Sequence, residues 1–355
     1  MTLHFEHVTA PQRVLFGTGR AAEKVAAEVK RLGAQRVMVI AAPSESVVAR
    51  EVTAGVAVAV HHDDVAQHVP VAHAERARRV AENHAVDLVI SVGGGSTTGL
   101  AKAVALTTGL PIVAVPTTYA GSEATNMWGS TEAARKTTGV DDRVLPIAVV
   151  YDAALTVTLP VELTVASGLN ALAHCVDSMW APRADPIDRA HAGEGIRALA
   201  EGLRRILADP GDIVGREQAL YGAYLSAVAF SSAGSGLHHK ICHVLGGAYD
   251  LPHAHTHAAV LPHVLAFNAP AAPEAERRIA VAFGSSSAVD GLEDLRIILG
   301  APRALRDHGF TDDVIPEAAD LILASVPPSN PRAVTAADLR MLLHAALIGE
   351  VPSMG

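Results

Sequence analysis

The residues best able to do chemistry in this chain are its histidines. There are 18, and seven of them fall between His238 and His263. Imidazole titrates near neutrality and ligates metals, so a cluster this dense points to proton transfer or metal binding. His239 and His243 stand four apart in Gly236-Leu237-His238-His239-Lys240-Ile241-Cys242-His243-Val244-Leu245-Gly246, the spacing of one helix face. Asn170 and His174 show the same spacing earlier, and His253 follows in Leu251-Pro252-His253. Buried imidazoles need partners, which sets these residues apart from His61, His62 and His68, expected at the surface. His255, His257 and His263 have weaker claims.

A second constellation is built from glycine. Asp87-Leu88-Val89-Ile90-Ser91-Val92-Gly93-Gly94-Gly95-Ser96 reads as a buried strand running into three glycines, with Ser96 capping a helix through Leu100, Ala101, Val104 and Ala105. Glycines let the backbone approach a phosphate, and the free N–H groups of a helix start stabilise its charge. The pattern is neither GxGxxG nor a P-loop, and alone it equally describes a tight strand-to-helix turn. A second loop, Pro116-Thr117-Thr118-Tyr119-Ala120-Gly121-Ser122-Glu123, follows the next strand. Two such loops at strand carboxyl ends make a ligand crevice, for which a dinucleotide is the natural occupant. Gly93, Gly94, Gly95, Ser96, Thr97, Thr117, Thr118, Tyr119 and Ser122 are the candidate cofactor contacts.

At 355 residues the chain exceeds the usual single-domain size. Short apolar runs at Arg36–Ile40, Gly55–Val60, Asp87–Val92, Pro111–Val115 and Ile147–Tyr151 alternate with amphipathic stretches such as Ala21–Leu32 and Val71–His84. Strand-helix-strand alternation at this spacing predicts a largely parallel sheet covered by helices. After Leu159-Pro160 come long Ala- and Leu-rich segments without convincing strands: 161–180, 188–208, 217–230, 313–325 and 335–348. The reading is an α/β, Rossmann-like dinucleotide-binding domain over 1–159, then an all-α domain over 160–355. With no low-complexity linker between them, a tight interdomain cleft is expected.

Composition narrows the partners. Lys plus Arg number 28 against 37 for Asp plus Glu, a formal charge of -9, so a nucleic-acid partner is disfavoured. Two cysteines make no disulfide framework, which suits a reducing cytoplasm. Glu6, Arg13 and Arg20 interrupt the first thirty residues, against a signal peptide. Leu220–Leu237 runs eighteen residues without a charge but contains four serines, three glycines and two tyrosines. It is expected to be a helix in a protein core, not a membrane span.

Taken together, the motifs resemble the iron-containing alcohol dehydrogenase superfamily. The likeness is carried by Phe16-Gly17-Thr18-Gly19, the GGGS and PTT loops, GxxHxxxHxxG at Gly236–Gly246, and Asn330-Pro331-Arg332. Within it the sequence looks most like the maleylacetate reductase branch. Gly99 stands where most of the superfamily has aspartate, and Arg135-Lys136-Thr137-Thr138-Gly139 and His257-Ala258-Ala259-Val260-Leu261-Pro262-His263 have that branch's form. The resemblance implies the dehydroquinate synthase-like fold, a homodimer, with residues 2–16 as the candidate contact segment, and Lys136 near the cofactor ribose. Metal-using relatives bind iron or zinc with one aspartate and three histidines, which by position would be Asn170, His174, His239 and His253. Asn170 is an amide, so the carboxylate that would offset a divalent charge is missing. Three neutral histidines can still hold zinc, but the amide and the branch, regarded as metal-independent, both point to no metal.

The implied reaction is reduction of maleylacetate, a dicarboxylate enone, to 3-oxoadipate. Hydride goes to the carbon β to the ketone and a proton to the α carbon, through an enolate that needs a donor at its oxygen. The expectation is that His174, His239, His243 and His253 hold at least one proton and titrate as a coupled group. His243 is the first choice as donor, because the corresponding position in the superfamily faces the nicotinamide without ligating metal. The histidines, Arg143 and Lys240 are candidates for the substrate carboxylates. Ile40-Ala41-Ala42-Pro43-Ser44 carries no acid at the end of the second strand, so NADH is expected to work and NADPH to be accepted. Two rivals remain: a metal-dependent alcohol dehydrogenase tolerating Asn170, and a non-catalytic nucleotide- or metal-binding protein.

Overall fold

The computed structural model describes residues 3–132 and 135–352. The chain divides into an α/β unit, Ala10–Leu159, and a helical unit formed by the chain from Pro160 onward together with the described residues before Ala10. In the first unit the strands are β1 (Arg13–Phe16), β2 (Val37–Ile40), β3 (Val58–His62), β4 (Leu88–Gly93), β5 (Ile112–Pro116), β6 (Met127–Glu132), β7 (Arg135–Val140) and β8 (Ala148–Tyr151). Its helices are α1 (Ala21–Leu32), α2 (Ser46–Val52), α3 (Val71–Asn83) and α4 (Gly95–Thr108).

Six strands form one parallel sheet in the order β1-β8-β5-β4-β2-β3. Side chains alternate across it. Val37, Val39, Leu88 and Ile90 join Val25 and Val29 of α1 on one face, while Met38, Ile40 and Val89 join Ala74, Ala77, Leu100 and Val104 of α3 and α4 on the other. Because both faces are covered, the central strands read as unbroken apolar runs, and β4 is buried throughout. The order reverses at β4, with β2 and β3 to one side and β5 and β8 to the other. The glycine loop leaves the sheet there.

The five expected strands are all present, with shifted ends. Three were not expected. β1 is a four-residue edge strand with little burial, and β6 and β7 form a separate antiparallel hairpin rich in Ser, Thr and charge. Neither has the apolar periodicity that marks a covered strand. Lys102 of α4 is fully buried and ties that helix to the hairpin, its Nζ donating to the Thr125 carbonyl and hydroxyl (2.8 and 3.0 Å) and to the Met127 carbonyl (2.8 Å).

The helical unit contains α5 (Val161–Ser178), α6 (Pro186–Ala208), α7 (Ile213–Ala233), α8 (Leu237–Ala248), α9 (His253–Asn268), α10 (Pro273–Phe283), α11 (Ala288–Leu299), α12 (Ile315–Leu323) and α13 (Ala336–Ile348). The uncharged stretch 220–237 is not one helix. α7 stops at Ala233, Gly234 takes φ +90°, and α8 begins at Leu237. Among the described residues no helix is long and apolar enough to cross a membrane. One core joins Leu237, Ile241 and Leu245 of α8 to Val260 and Val264 of α9, and to α12 and α13. The Asn330 motif closes against the end of α9. Asn330 and Asn268 exchange amide hydrogen bonds at 2.8 and 3.0 Å, and the Arg332 guanidinium lies 4.2 Å from the Phe267 ring centroid.

Candidate active site

In the α/β unit the two loops lie side by side because β4 and β5 are neighbours. The Thr117 N–H donates to the Gly93 carbonyl (3.2 Å). Gly93 takes φ +147°, and a Cβ on Gly94 would stand 2.9 Å from Thr118 Cγ2. The loops can touch only with glycine there. The cap of α4 is Gly94, not Ser96 as expected; Ser96 already lies inside the first turn. Gly99 also has a local cause, since a Cβ there would meet Val69 Cγ2 at 2.9 Å. No room remains for the aspartate common in the superfamily.

Gly94, Gly95, Ser96, Thr118 and Ser122 are partly exposed, whereas Gly93, Thr97, Thr117 and Tyr119 are buried. Tyr119 is fully enclosed, its hydroxyl donating to Thr156 Oγ1 at 3.4 Å, so its side chain supports the loop from beneath. Thr117 Oγ1 donates to Glu45 Oε1 at 3.1 Å. The carboxylate absent from 40–44 is thus supplied one residue later, at the same strand end. Lys136 lies on β7, and its side chain falls outside the described residues. Arg143 is engaged locally by Asp141, at 2.6 Å.

In the helical unit α5, α8 and α9 bring the four expected histidines together and add two more. His174 of α5 stacks on His239 of α8, with ring centroids 4.9 Å apart and 13° between planes. Phe230 of α7 packs against both, at 4.7 and 4.2 Å. His239 contacts His243 at 6.1 Å and His257 at 4.9 Å, and His253 contacts His243 at 6.5 Å and His257 at 4.3 Å. His238 Nε2 and His257 Nδ1 share a hydrogen bond of 2.8 Å. His257 therefore belongs to the centre of the group, contrary to its weak claim from sequence. His255 contacts His308 at 4.7 Å and is not in ring contact with the group, and His263 is buried elsewhere on α9. His62, expected at the surface, is buried, because the alternation of β3 turns His61 outward and His62 inward.

Burial splits the cluster in two. His174, His238, His239 and His257 are enclosed, while His243 and His253 are partly exposed. Desolvation holds His174 down at about 4 and His238 at about 3, and pushes His239 and His257 well below the usual imidazole value; neighbouring imidazoles add to the effect on the last three. The enclosed four are neutral at pH 7, so any proton on the cluster's own rings at that pH sits at the rim.

Sequence reasoning missed Asp177, which is completely buried. Its Oδ2 accepts from His239 Nδ1 (2.6 Å) and from the backbone N–H groups of His239 and Gly236 (both 3.2 Å). A Cβ on Gly236 would lie 2.5 Å from Asp177 Oδ1, which explains the first glycine of GxxHxxxHxxG. Burial raises the Asp177 carboxyl to about 7 despite these donors. The signal was available: 170, 174 and 177 follow i, i+4, i+7 on one face of α5.

Asn170, His174, His239 and His253 are not gathered as one converging ligand set. The ring nitrogens of the three histidines do not all come within 4.8 Å of one another, as those of other groups among the described residues do. The fourth position offers a neutral amide. What gathers instead is a set of enclosed polar atoms without hydrogen-bond partners: Asn170 Oδ1, His174 Nδ1, His239 Nε2 and His257 Nε2. Such atoms call for a polar occupant.

Comparison with known proteins gives the family of the chain. Residues 11–153 match the family described as iron-containing alcohol dehydrogenase, and residues 164–347 match the Fe-containing alcohol dehydrogenase family, C-terminal. A maleylacetate reductase of Pseudomonas knackmussii is 44% identical over 353 residues, covering 99% of this chain and 100% of that protein. The structure of a maleylacetate reductase from a Rhizobium species superposes with TM-score 0.93 at 41% identity, covering 99% of this chain and 100% of that one. An iron-containing alcohol dehydrogenase structure from Corynebacterium glutamicum gives TM-score 0.97 at 60% identity, covering 99% and 98%. With both of its units matched and full-length relatives on each count, this chain is an oxidoreductase of the iron-containing alcohol dehydrogenase family.

Proposed function

We propose that the chain is a maleylacetate reductase that uses NADH, accepts NADPH, and works without a metal. The observation that carries this reading is the amide of Asn170 at the carboxylate position, set beside six imidazoles of which His174, His239 and His253 do not bring their ring nitrogens together as one ligand set. The full-length maleylacetate reductase relatives support the substrate.

The cofactor's phosphates would lie on the loop 93–97 at the start of α4, where backbone N–H groups and the helix dipole favour anions. Glu45, held by Thr117, offers its carboxylate to ribose hydroxyls and repels a 2'-phosphate, so NADH is the better donor. The nicotinamide supplies hydride to the carbon β to the ketone, and electron density moves to the ketone oxygen. A protonated rim imidazole, His243 first and His253 second, stabilises that oxygen and delivers the proton to the α carbon. The neutral imidazoles beneath, His174 and His239, present polar nitrogens to the substrate and keep water out. Lys240, partly exposed on α8, is the nearest cation in sequence to the donor and is proposed to meet a substrate carboxylate.

A cytoplasmic homodimer is the proposed setting. Both cysteines are free and buried, and β1 is an edge strand whose Val14 and Phe16, with Leu3, Phe5 and Val8 before it, are exposed.

Purified enzyme mixed with maleylacetate and NADH should consume NADH and release 3-oxoadipate, with NADPH slower. Oxidation of simple alcohols that appears only with added iron or zinc, and no reduction of maleylacetate, would instead establish the metal-dependent alcohol dehydrogenase.

A further inference from the structure

We infer that His7, Asp185 and Asp188 form a separate binding site for one divalent first-row transition-metal cation, at the N-terminal end of α6. The inference is independent of the reductase reading. His7 Nδ1 lies 2.8 Å from Asp185 Oδ2 and 3.8 Å from Asp188 Oδ1, and one ligand atom from each residue lies within 4.8 Å of the others. The site is enclosed, with side-chain exposures of 10% for His7, 4% for Asp185 and 0% for Asp188.

Each carboxylate uses one oxygen for the fold. Asp185 Oδ1 accepts from the Ile187 and Asp188 N–H groups (2.7 and 2.9 Å), and Asp188 Oδ2 accepts from the Asp185 N–H (3.3 Å), closing a capping box on α6. The remaining oxygens bear on His7. Asp185 Oδ2 is met by the ring, while Asp188 Oδ1 has no hydrogen bond within 3.5 Å, the Ser232 side chain bearing on that carboxylate from farther off. Nδ1 carries at most one proton, so it cannot serve both carboxylates.

The charge balance favours a metal. With His7 protonated, two ionised aspartates leave a net charge of about -1 in an enclosed place, and the helix end offsets only about half a unit. A divalent cation bound to neutral His7 and both carboxylates brings the group to neutrality. One imidazole and two carboxylates suit zinc, iron(II) or manganese(II), whereas calcium and magnesium prefer oxygen alone. Ser232 Oγ, hydrogen-bonded to His7 Nδ1 at 3.4 Å, is a further oxygen at the site. The other converging group, His238, Cys242 and His257, has no such charge deficit, because it contains no carboxylate.

The test strips the whole protein with chelator, titrates it with zinc by calorimetry, and counts bound metal after dialysis. The parent should bind zinc at a site that His174→Ala retains. His7→Gln and Asp188→Asn should each lose that equivalent or weaken it by about tenfold or more. Where Asp188→Asn fails to fold because the α6 cap is altered, His7→Gln decides alone, since His7 contributes nothing to the cap. No zinc bound by the parent, or zinc bound equally by His7→Gln, would overturn the inference and leave the His7–Asp185 hydrogen bond as a purely structural contact.

Discussion

The glycine loops and the imidazole cluster solve opposite problems of charge. The first is made of backbone: glycines at 93 and 94 let two loops touch, and the N–H groups at the start of α4, where an anion is proposed to bind, cannot titrate. The second is made of side chains from three helices, and its properties change with every proton. A cofactor whose phosphates keep their charge while its nicotinamide is oxidised would suit the fixed site, and a substrate that passes through an enolate would suit the titrating one. Within the cluster the same contrast recurs on a smaller scale, between four enclosed neutral rings and the partly exposed His243 and His253.

That division can be broken by substitution. His243→Ala should lower kcat by roughly 10²- to 10³-fold and leave NADH affinity almost unchanged. Survival of turnover would move the proton to His253 or to solvent. Asp177→Asn keeps an oxygen for the N–H groups of Gly236 and His239 but removes the charge facing His239. It should lower kcat by on the order of tenfold or more, with a smaller change in KM. An unchanged kcat would reduce Asp177 to a helix cap. Gly94→Ala should show the reverse split, weakening NADH binding by about tenfold in a fluorescence titration while turnover at saturating NADH is largely kept. Equal loss in both would mean that the loop also holds the substrate.

The smallest effect is on stability against pH. His174 and His238 sit at about 4 and about 3, and His239 and His257 lie well below the usual value. The unfolded chain therefore binds more protons than the folded one below about pH 6.5, and stability falls as pH drops through that window. Asp177, raised to about 7, acts oppositely: its contribution is full at low pH and lost as pH rises through 7. One carboxyl against four imidazoles does not reverse the slope. Calorimetry from pH 7 to pH 5 should show Tm falling steadily, and a flat Tm would mean that water reaches the enclosed rings.

Legibility in the sequence followed the same division. Glycine at 93 and 94 reports a backbone demand, so the loops could be placed from residue types alone. The central strands were equally plain, because a strand covered on both faces reads as a continuous apolar run, as Leu88–Val92 does. The edge strand and the polar hairpin gave no such signal. In the cluster, the i, i+4 pairs on α5 and α8 were visible, but Asp177, on the same α5 face, was passed over and His257 was ranked low, since their value depends on which helices pack together. Glu45 was overlooked for a similar reason: its role rests on a hydrogen bond to Thr117, 72 positions away.

The central claim is that imidazoles do here what a metal does in metal-using relatives, and a rate tests it better than a metal count, because the His7 site would retain zinc without touching the reaction. Maleylacetate reduction by NADH should run at the same rate, within about twofold, before chelation, after chelation, and after iron or zinc is restored. A rate that collapses with chelator and returns with the metal would contradict the account.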